Sequence, residues 1–192
     1  STAGTPEFTP DGSRLFFHKT VDGYSRLVVT DMQGSNLKVI STPRAIEVSP
    51  RVNPKNAKDL LFISGRSGRQ QLWRMNEDGT DLQMLTSGEG DVANPAWSPN
   101  GQMVAFAWTR GYEPGNLNIF VMDINKKQPI QLTSASGRNE NPTWAPDGLH
   151  IVYSSKRGRE THIYSMLADG SAVKQLTTAG NNTQPVWAKG LN

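Results

Sequence analysis

No cysteine occurs among the 192 residues. Disulfides, thiolate metal sites and a cysteine nucleophile are therefore excluded. Long apolar runs are also missing. Nothing approaches the roughly 20 residues with which a helix spans a bilayer, and no signal-peptide pattern is present. Neither charge sign dominates. Lys and Arg number 20 against 17 Asp and Glu, a net charge of +3 with a pI of about 9.3, and the signs are interspersed. Nucleic-acid binding calls for a basic stripe on one face. The nearest candidate, Lys156, Arg157 and Arg159 in one loop, reads as a solvated hairpin tip. A helical apolar period is absent as well: no segment of about ten residues repeats at 3.6.

What the chain does contain is turn chemistry. Its 18 Gly and 12 Pro are spread evenly, as suits many short strands joined by tight turns. They also recur in register. Pro95-Ala96-Trp97-Ser98-Pro99-Asn100-Gly101 returns as Pro142-Thr143-Trp144-Ala145-Pro146-Asp147-Gly148, and its first half again as Pro185-Val186-Trp187-Ala188. Pro6-Glu7-Phe8-Thr9-Pro10-Asp11-Gly12 has Phe at the Trp position, and Pro50-Arg51-Val52-Asn53-Pro54 has Val. The series Phe8, Val52, Trp97, Trp144, Trp187 steps by 44, 45, 47 and 43 residues. A period of this size means propeller blades or helical repeats.

The content of each unit decides for blades. After the Pro-Asp-Gly turn comes a short apolar run, such as Leu60-Leu61-Phe62-Ile63 or Met103-Val104-Ala105-Phe106. A Gly-containing polar loop follows, then a second run such as Leu72-Trp73-Arg74-Met75 or Ile163-Tyr164-Ser165-Met166. An Asp-Gly turn then precedes a last run such as Leu82-Gln83-Met84-Leu85 or Val173-Lys174-Gln175-Leu176. Short runs bounded by Gly, Pro, Asp and Asn are strands, and four per period make a blade. The fold predicted is all-β: a propeller of four-stranded antiparallel blades, strands A to D, at 5–41, 46–87, 93–134 and 140–178. A further A-type strand is predicted at 184–188. Trp97, Trp144 and Trp187 are expected to wedge between adjacent sheets. The extra strand lacks a B–C–D sheet of its own, so the residues are expected to belong to a longer chain or to an assembly of copies.

Few residues point to chemistry. His18, His150 and His162 lack metal-ligand spacing. Asn76-Glu77-Asp78-Gly79-Thr80-Asp81 lacks the first and twelfth acids of a calcium loop. Gly65-Arg66-Ser67-Gly68 is neither a nucleophile elbow nor a phosphate loop. No cofactor is expected. The D–A loops, which topology gathers at one mouth, are the candidate partner-binding surface. Their candidate residues are Glu47, Glu89, Asp91, Asn94, Arg138, Asn139, Glu140, Asn141, Asn181, Asn182, Thr183 and Gln184. Glu89, Asp91 and Glu140 are also the acids available to a cation or to a glycosidase-type carboxylate pair.

The string Pro142-Thr143-Trp144-Ala145-Pro146-Asp147-Gly148, with Ile163-Tyr164-Ser165-Met166, Asp169-Gly170 and Gln175-Leu176-Thr177, resembles the TolB-type propeller repeat. The resemblance covers nearly the whole chain. It implies a six-bladed ring, of which these blades are a part, and a non-enzymatic, periplasmic protein-binding scaffold of the Tol–Pal envelope system. The implied partners are the lipoprotein Pal, docked on the D–A loop face, and other Tol proteins. Similar repeats occur in propellers of prolyl-oligopeptidase-like peptidases. A peptidase propeller or a propeller glycosidase is therefore the competing expectation.

Overall fold

The structure, a computed structural model, describes residues 3–41, 44–110, 115–134 and 137–187. Sixteen strands and no helix occur among them. The first sheet holds β1 (Ala3–Phe8), β2 (Arg14–Val21), β3 (Tyr24–Asp31) and β4 (Lys38–Val39). The second holds β5 (Glu47–Asn53), β6 (Asn56–Ser64), β7 (Gln71–Asn76) and β8 (Gln83–Met84). The third holds β9 (Val92–Trp97), β10 (Met103–Trp108), β11 (Asn118–Asp123) and β12 (Ile130–Gln131). The fourth holds β13 (Arg138–Trp144), β14 (His150–Arg157), β15 (Glu160–Leu167) and β16 (Lys174–Gln175). Strands follow chain order in every sheet, in antiparallel meanders. The all-β class and the four blades stand as the sequence predicts.

Two boundaries differ from expectation. The D strands, expected over about four residues, are two-residue ladders, each extended by a further bond such as Leu85 N to Leu72 O at 2.9 Å. The next position hands its bonding to a hydroxyl. Leu27, Leu72, Ile119 and Ile163 donate their amides to Ser41, Thr86, Thr133 and Thr177 side chains at 2.8–2.9 Å. That hydroxyl ends the ladder while keeping the C-strand amide satisfied. The predicted strand at 184–188 is not a strand over 184–187, which pair with no other strand among the described residues. Its last residue, Ala188, lies outside the described residues.

The chain divides into two compact units, Ser1–Pro95 and Ala96–Asn192, with β9 crossing the division. In the first, Phe16, Leu27 and Ile40 of the first sheet pack with Val52, Leu60, Phe62 and Met75 of the second. In the other, Ala105, Ile119 and Val121 pack with Trp144, Ile151, Tyr153 and Met166. Central strands are covered on both faces, so their apolar runs are continuous rather than alternating. Leu60, Leu61, Phe62 and Ile63 are at most 1% exposed.

The repeated aromatic position is a contact between blades at Val52 and Trp144, whereas Trp187, expected to wedge in the same way, is 39% exposed because no sheet packs over it among the described residues. Trp144 is 8% exposed, and its indole N–H donates to the Ala96 carbonyl on β9 at 3.2 Å. Val52 fills the same position in the first unit and is 4% exposed. The residue just before also reaches across. Arg51 donates from Nε to Pro95 O at 3.1 Å, and Thr143 from its hydroxyl to Pro185 O at 3.2 Å.

The A–B turns of the first, third and fourth blades use one device. Gly12, Gly101 and Gly148 take φ of 69–70°, and the preceding Asp or Asn accepts bonds from residues just beyond. Asp11 accepts from the Thr9 hydroxyl at 2.6 Å and from the Ser13 amide and hydroxyl at 3.0 and 2.8 Å. These donors favour the ionised carboxylate and hold its pKa down to about 2. Asp78 and Asp169, in the C–D turns, are lowered by the side chains of Thr80 and Ser171. The loop Asn76-Glu77-Asp78-Gly79-Thr80-Asp81 is thus a hairpin turn in which Asp78 accepts from the Thr80 amide and hydroxyl.

Candidate functional site

The end of each blade that carries the D–A loop is fixed by backbone geometry. Thr5, Ser49, Asn94, Asn141 and Gln184 all have φ between 47 and 55°. Each immediately precedes a proline. The left-handed region costs a residue with a Cβ on the order of 1 kcal/mol, so fivefold recurrence marks a built feature. It is a β-bulge. Between Gly4 and Glu7, Val48 and Arg51, and Glu140 and Thr143, three residues advance against two on the facing strand. The following proline has no N–H to leave unpaired at the bulge. The kink re-aims the first residues of each A strand.

Those first residues are then tied to the C strand of the preceding blade. Val92 N donates to Gln70 O, Asn139 N to Leu117 O and Asn182 N to Thr161 O, all at 2.8 Å. Residues 181–187 therefore follow an A-strand course even without a ladder: the same amide tie, the same left-handed residue before proline, and the same bond received at Pro185 O.

The candidate residues divide by what holds them. Glu47 is fully buried and offers no surface to a partner. Its Oε1 accepts from Ser64 Oγ at 2.9 Å and pairs with Arg66. The Arg66 guanidinium lies 5.6 Å from the Phe62 ring centroid and 5.0 Å from that of Trp73. Asn139 is 4% exposed and donates to Asn118 Oδ1 at 3.2 Å, an oxygen that also accepts from Thr133 Oγ1 at 2.9 Å. Asn94, Asn141 and Gln184 are the left-handed residues before proline, Asn141 within a bulge. Asp91 accepts from the Gln70 amide, and Asn181 Oδ1 from the Thr161 amide, each at 3.0 Å. Asn182 adds an Nδ2 bond to Ala179 O at 2.8 Å. Glu89, Arg138, Thr183 and Gln184 are exposed, and Arg138 Nε meets Glu140 Oε2 at 2.8 Å.

The first unit thus gathers Glu89 and Asp91 in one loop, and the other gathers residues 138–141 on one strand and 181–184 in one tail. Among the described residues, no three His, Cys, Asp or Glu side chains sit together as metal ligands would. His162 is buried with Nε2 3.0 Å from Glu160, and His150 has Nδ1 2.7 Å from Asp147. Polar atoms at this end mostly hold loops in shape, and what remains outward is a short set of charged and amide groups. Sequence reasoning weighed Ser67 of the second blade's B–C hairpin only as a nucleophile and passed over Arg69 beside it. It also missed the bulge, although a polar residue before every A-strand proline was visible.

The chain matches the family described as the TolB beta propeller domain over residues 1–106 and again over 81–190. A TolB homologue of Chlorobium luteolum is 30% identical over 126 residues, 65% of this chain and 27% of that protein. Another, of Chlorobium chlorochromatii, is 36% identical over 111 residues, 57% of this chain and 24% of that one. The chain spans about a quarter of the length of these curated relatives. Among solved structures, TolB of Acinetobacter baumannii superposes with a TM-score of 0.79 at 24% identity, over 94% of this chain and 45% of that one. An oligogalacturonate lyase in complex with manganese gives 0.70 at 17%, over 90% and 52%. A puromycin-hydrolyzing peptidase of Mycobacterium tuberculosis gives 0.73 at 14%, over 91% and 28%. At these identities the structural likeness is one of fold.

Proposed function

The chain belongs to the family of TolB β-propeller domains, and from that premise we propose that it is a non-enzymatic scaffold that holds another protein against its D–A loops. The observation that carries this reading is the rigidity of those loops. Left-handed residues before proline, amide ties and side-chain caps hold 88–94, 137–141 and 181–184, so little ordering entropy remains to be lost on binding. The family resemblance supplies the partner: the lipoprotein Pal, in the periplasm, within the Tol–Pal system that supports the outer membrane and division. An enzymatic role like that of the lyase or peptidase neighbours would need a reacting constellation. The acids available to one are already engaged in part: Glu140 by Arg138, Asp91 by the Gln70 amide.

Calorimetric titration with the soluble domain of the cognate Pal tests the proposal. Binding is expected, and its absence would remove the partner. Arg138→Ala combined with Thr183→Ala is expected to weaken binding about tenfold with the melting temperature almost unchanged, since the Arg138–Glu140 pair is exposed. An unchanged affinity would move the interface away from these loops.

A further inference from the structure

The B–C hairpin of the second blade carries two arginines with opposite fates. Arg66 turns inward, neutralised by the buried Glu47 and stacked against Phe62 and Trp73. Arg69, three residues on, is exposed, and no carboxylate among the described residues lies within salt-bridge distance of it. It stands on the wall of an open cavity of about 470 Å³. Ser67 and Gly68 line this cavity from the hairpin, Ser87 and Gly88 from the D–A loop, and Met84 from β8.

The cavity is built rather than incidental. Gln71, 2% exposed, also lines it and clamps its walls. Its Oε1 accepts from Thr86 Oγ1 at 2.7 Å. Its Nε2 donates to Gly90 O at 3.1 Å and Gly88 O at 3.5 Å. Thr86 Oγ1 in turn receives the Leu72 amide at 2.9 Å, and Gly68 N closes the hairpin on Gly65 O at 3.0 Å. One buried amide side chain therefore sets the spacing between hairpin and loop.

The lining presents a guanidinium, two hydroxyls and a thioether, with no acid among them. A guanidinium matches a carboxylate bidentately, and the Ser87 hydroxyl can donate to a remaining lone pair, the Ser67 hydroxyl being turned to Arg69 O at 3.4 Å. Only one cation lines the cavity, so a single negative charge is matched and a dianion is not. Met84, 42% exposed, offers apolar contact to an aliphatic stem. We propose that this cavity is a carboxylate-accepting site of the second blade, filled by a glutamate side chain of a bound polypeptide, with Arg69 as its cation. The proposal rests on the reading that the D–A loops receive a protein, and it names the chemistry of one contact.

The test is a nitrogen-15 amide titration of the chain with a capped Ala-Glu-Leu-Ala peptide, alongside its Ala-Gln-Leu-Ala counterpart and inorganic phosphate. The glutamate peptide is expected to shift Gly68, Arg69 and Gly88 amides, at an affinity falling about tenfold in Arg69→Gln and again as salt is raised. The glutamine peptide is expected to shift none of them. Absence of shifts, equal shifts with the glutamine peptide, or tighter binding of phosphate would each overturn the proposal. Arg69→Lys, which keeps the charge without the fork, is expected to fall between wild type and Arg69→Gln. A chain that binds Pal but gives no peptide shifts loses this site and keeps the proposed function. A chain that gives the shifts but ignores Pal does the reverse.

Discussion

Replacing Trp144 with alanine tests whether the repeated aromatic position holds blades together. A buried indole removes about 150–250 Å² from water. At about 25 cal/mol per Å² that is roughly 4–6 kcal/mol as an upper bound. The cavity left behind and partial collapse bring the expected cost to about 3–5 kcal/mol. The bond from Nε1 to Ala96 O adds a separable part, since Trp144→Phe keeps most of the ring and loses only the donor. That variant is expected to cost about 1–2 kcal/mol. Two other copies of the position supply internal controls. Val52→Ala removes two methyl equivalents at 4% exposure and is expected to cost about 2 kcal/mol. Trp187 is 39% exposed, and its alanine variant is expected to cost less than about 1 kcal/mol. Urea unfolding followed by far-ultraviolet circular dichroism gives each value from the midpoint and slope. A Trp144→Ala cost below about 1 kcal/mol, or a Trp187→Ala cost equal to it, would refute the blade-wedge argument.

Three further perturbations probe the same frame. Gly79 sits at φ 90° with the Ile40 carbonyl only 2.5 Å from where a Cβ would be, so Gly79→Ala is expected to cost about 2–3 kcal/mol. Gly12→Ala, at φ 70° with nothing within 4 Å, should cost about 1 kcal/mol; equal melting-temperature losses would remove the collision as the cause. Glu47→Ala strands the Arg66 cation and is expected to destabilise by about 2–4 kcal/mol, with Glu47→Ala/Arg66→Met recovering part of the loss. A Glu47→Ala variant with native stability and weakened partner binding would instead return Glu47 to the interface. Asp11 has its folded pKa lowered from 3.8 to about 2, so its contribution is present above 3.8 and disappears as pH falls through about 2. Asp11→Asn should therefore flatten the acid limb of the stability profile between those values, and an unchanged limb would contradict the turn geometry.

Blade architecture was legible because each of its parts depends on a local rule. Strand runs, Asp-Gly turns and a large apolar residue every 43–47 positions are composition repeated at a period, and a meander needs no long-range information to be drawn. The Thr or Ser that ends each D strand was equally visible as a recurring letter. Its role was not, because it caps an amide 14 positions earlier. The same limit applied to the bulge. A polar residue before proline reads as extended chain, whereas the fold holds five such residues left-handed.

The candidate site was less legible for a different reason. Polarity in a loop does not say whether a side chain faces solvent or its own backbone. Glu47 and Glu89 both read as D–A loop acids in the sequence, yet Glu47 opens β5 and is fully buried against Arg66, while Glu89 stays in the loop before β9 and is exposed. Arg66 and Arg69 sit in one hairpin, and Glu47 decides which of them remains available. Charge in such a repeat is assigned by the partner that each blade supplies. A polar residue there becomes a contact for another molecule only when the blade leaves it unpaired, as it does Arg69, on a wall that Gln71 holds still.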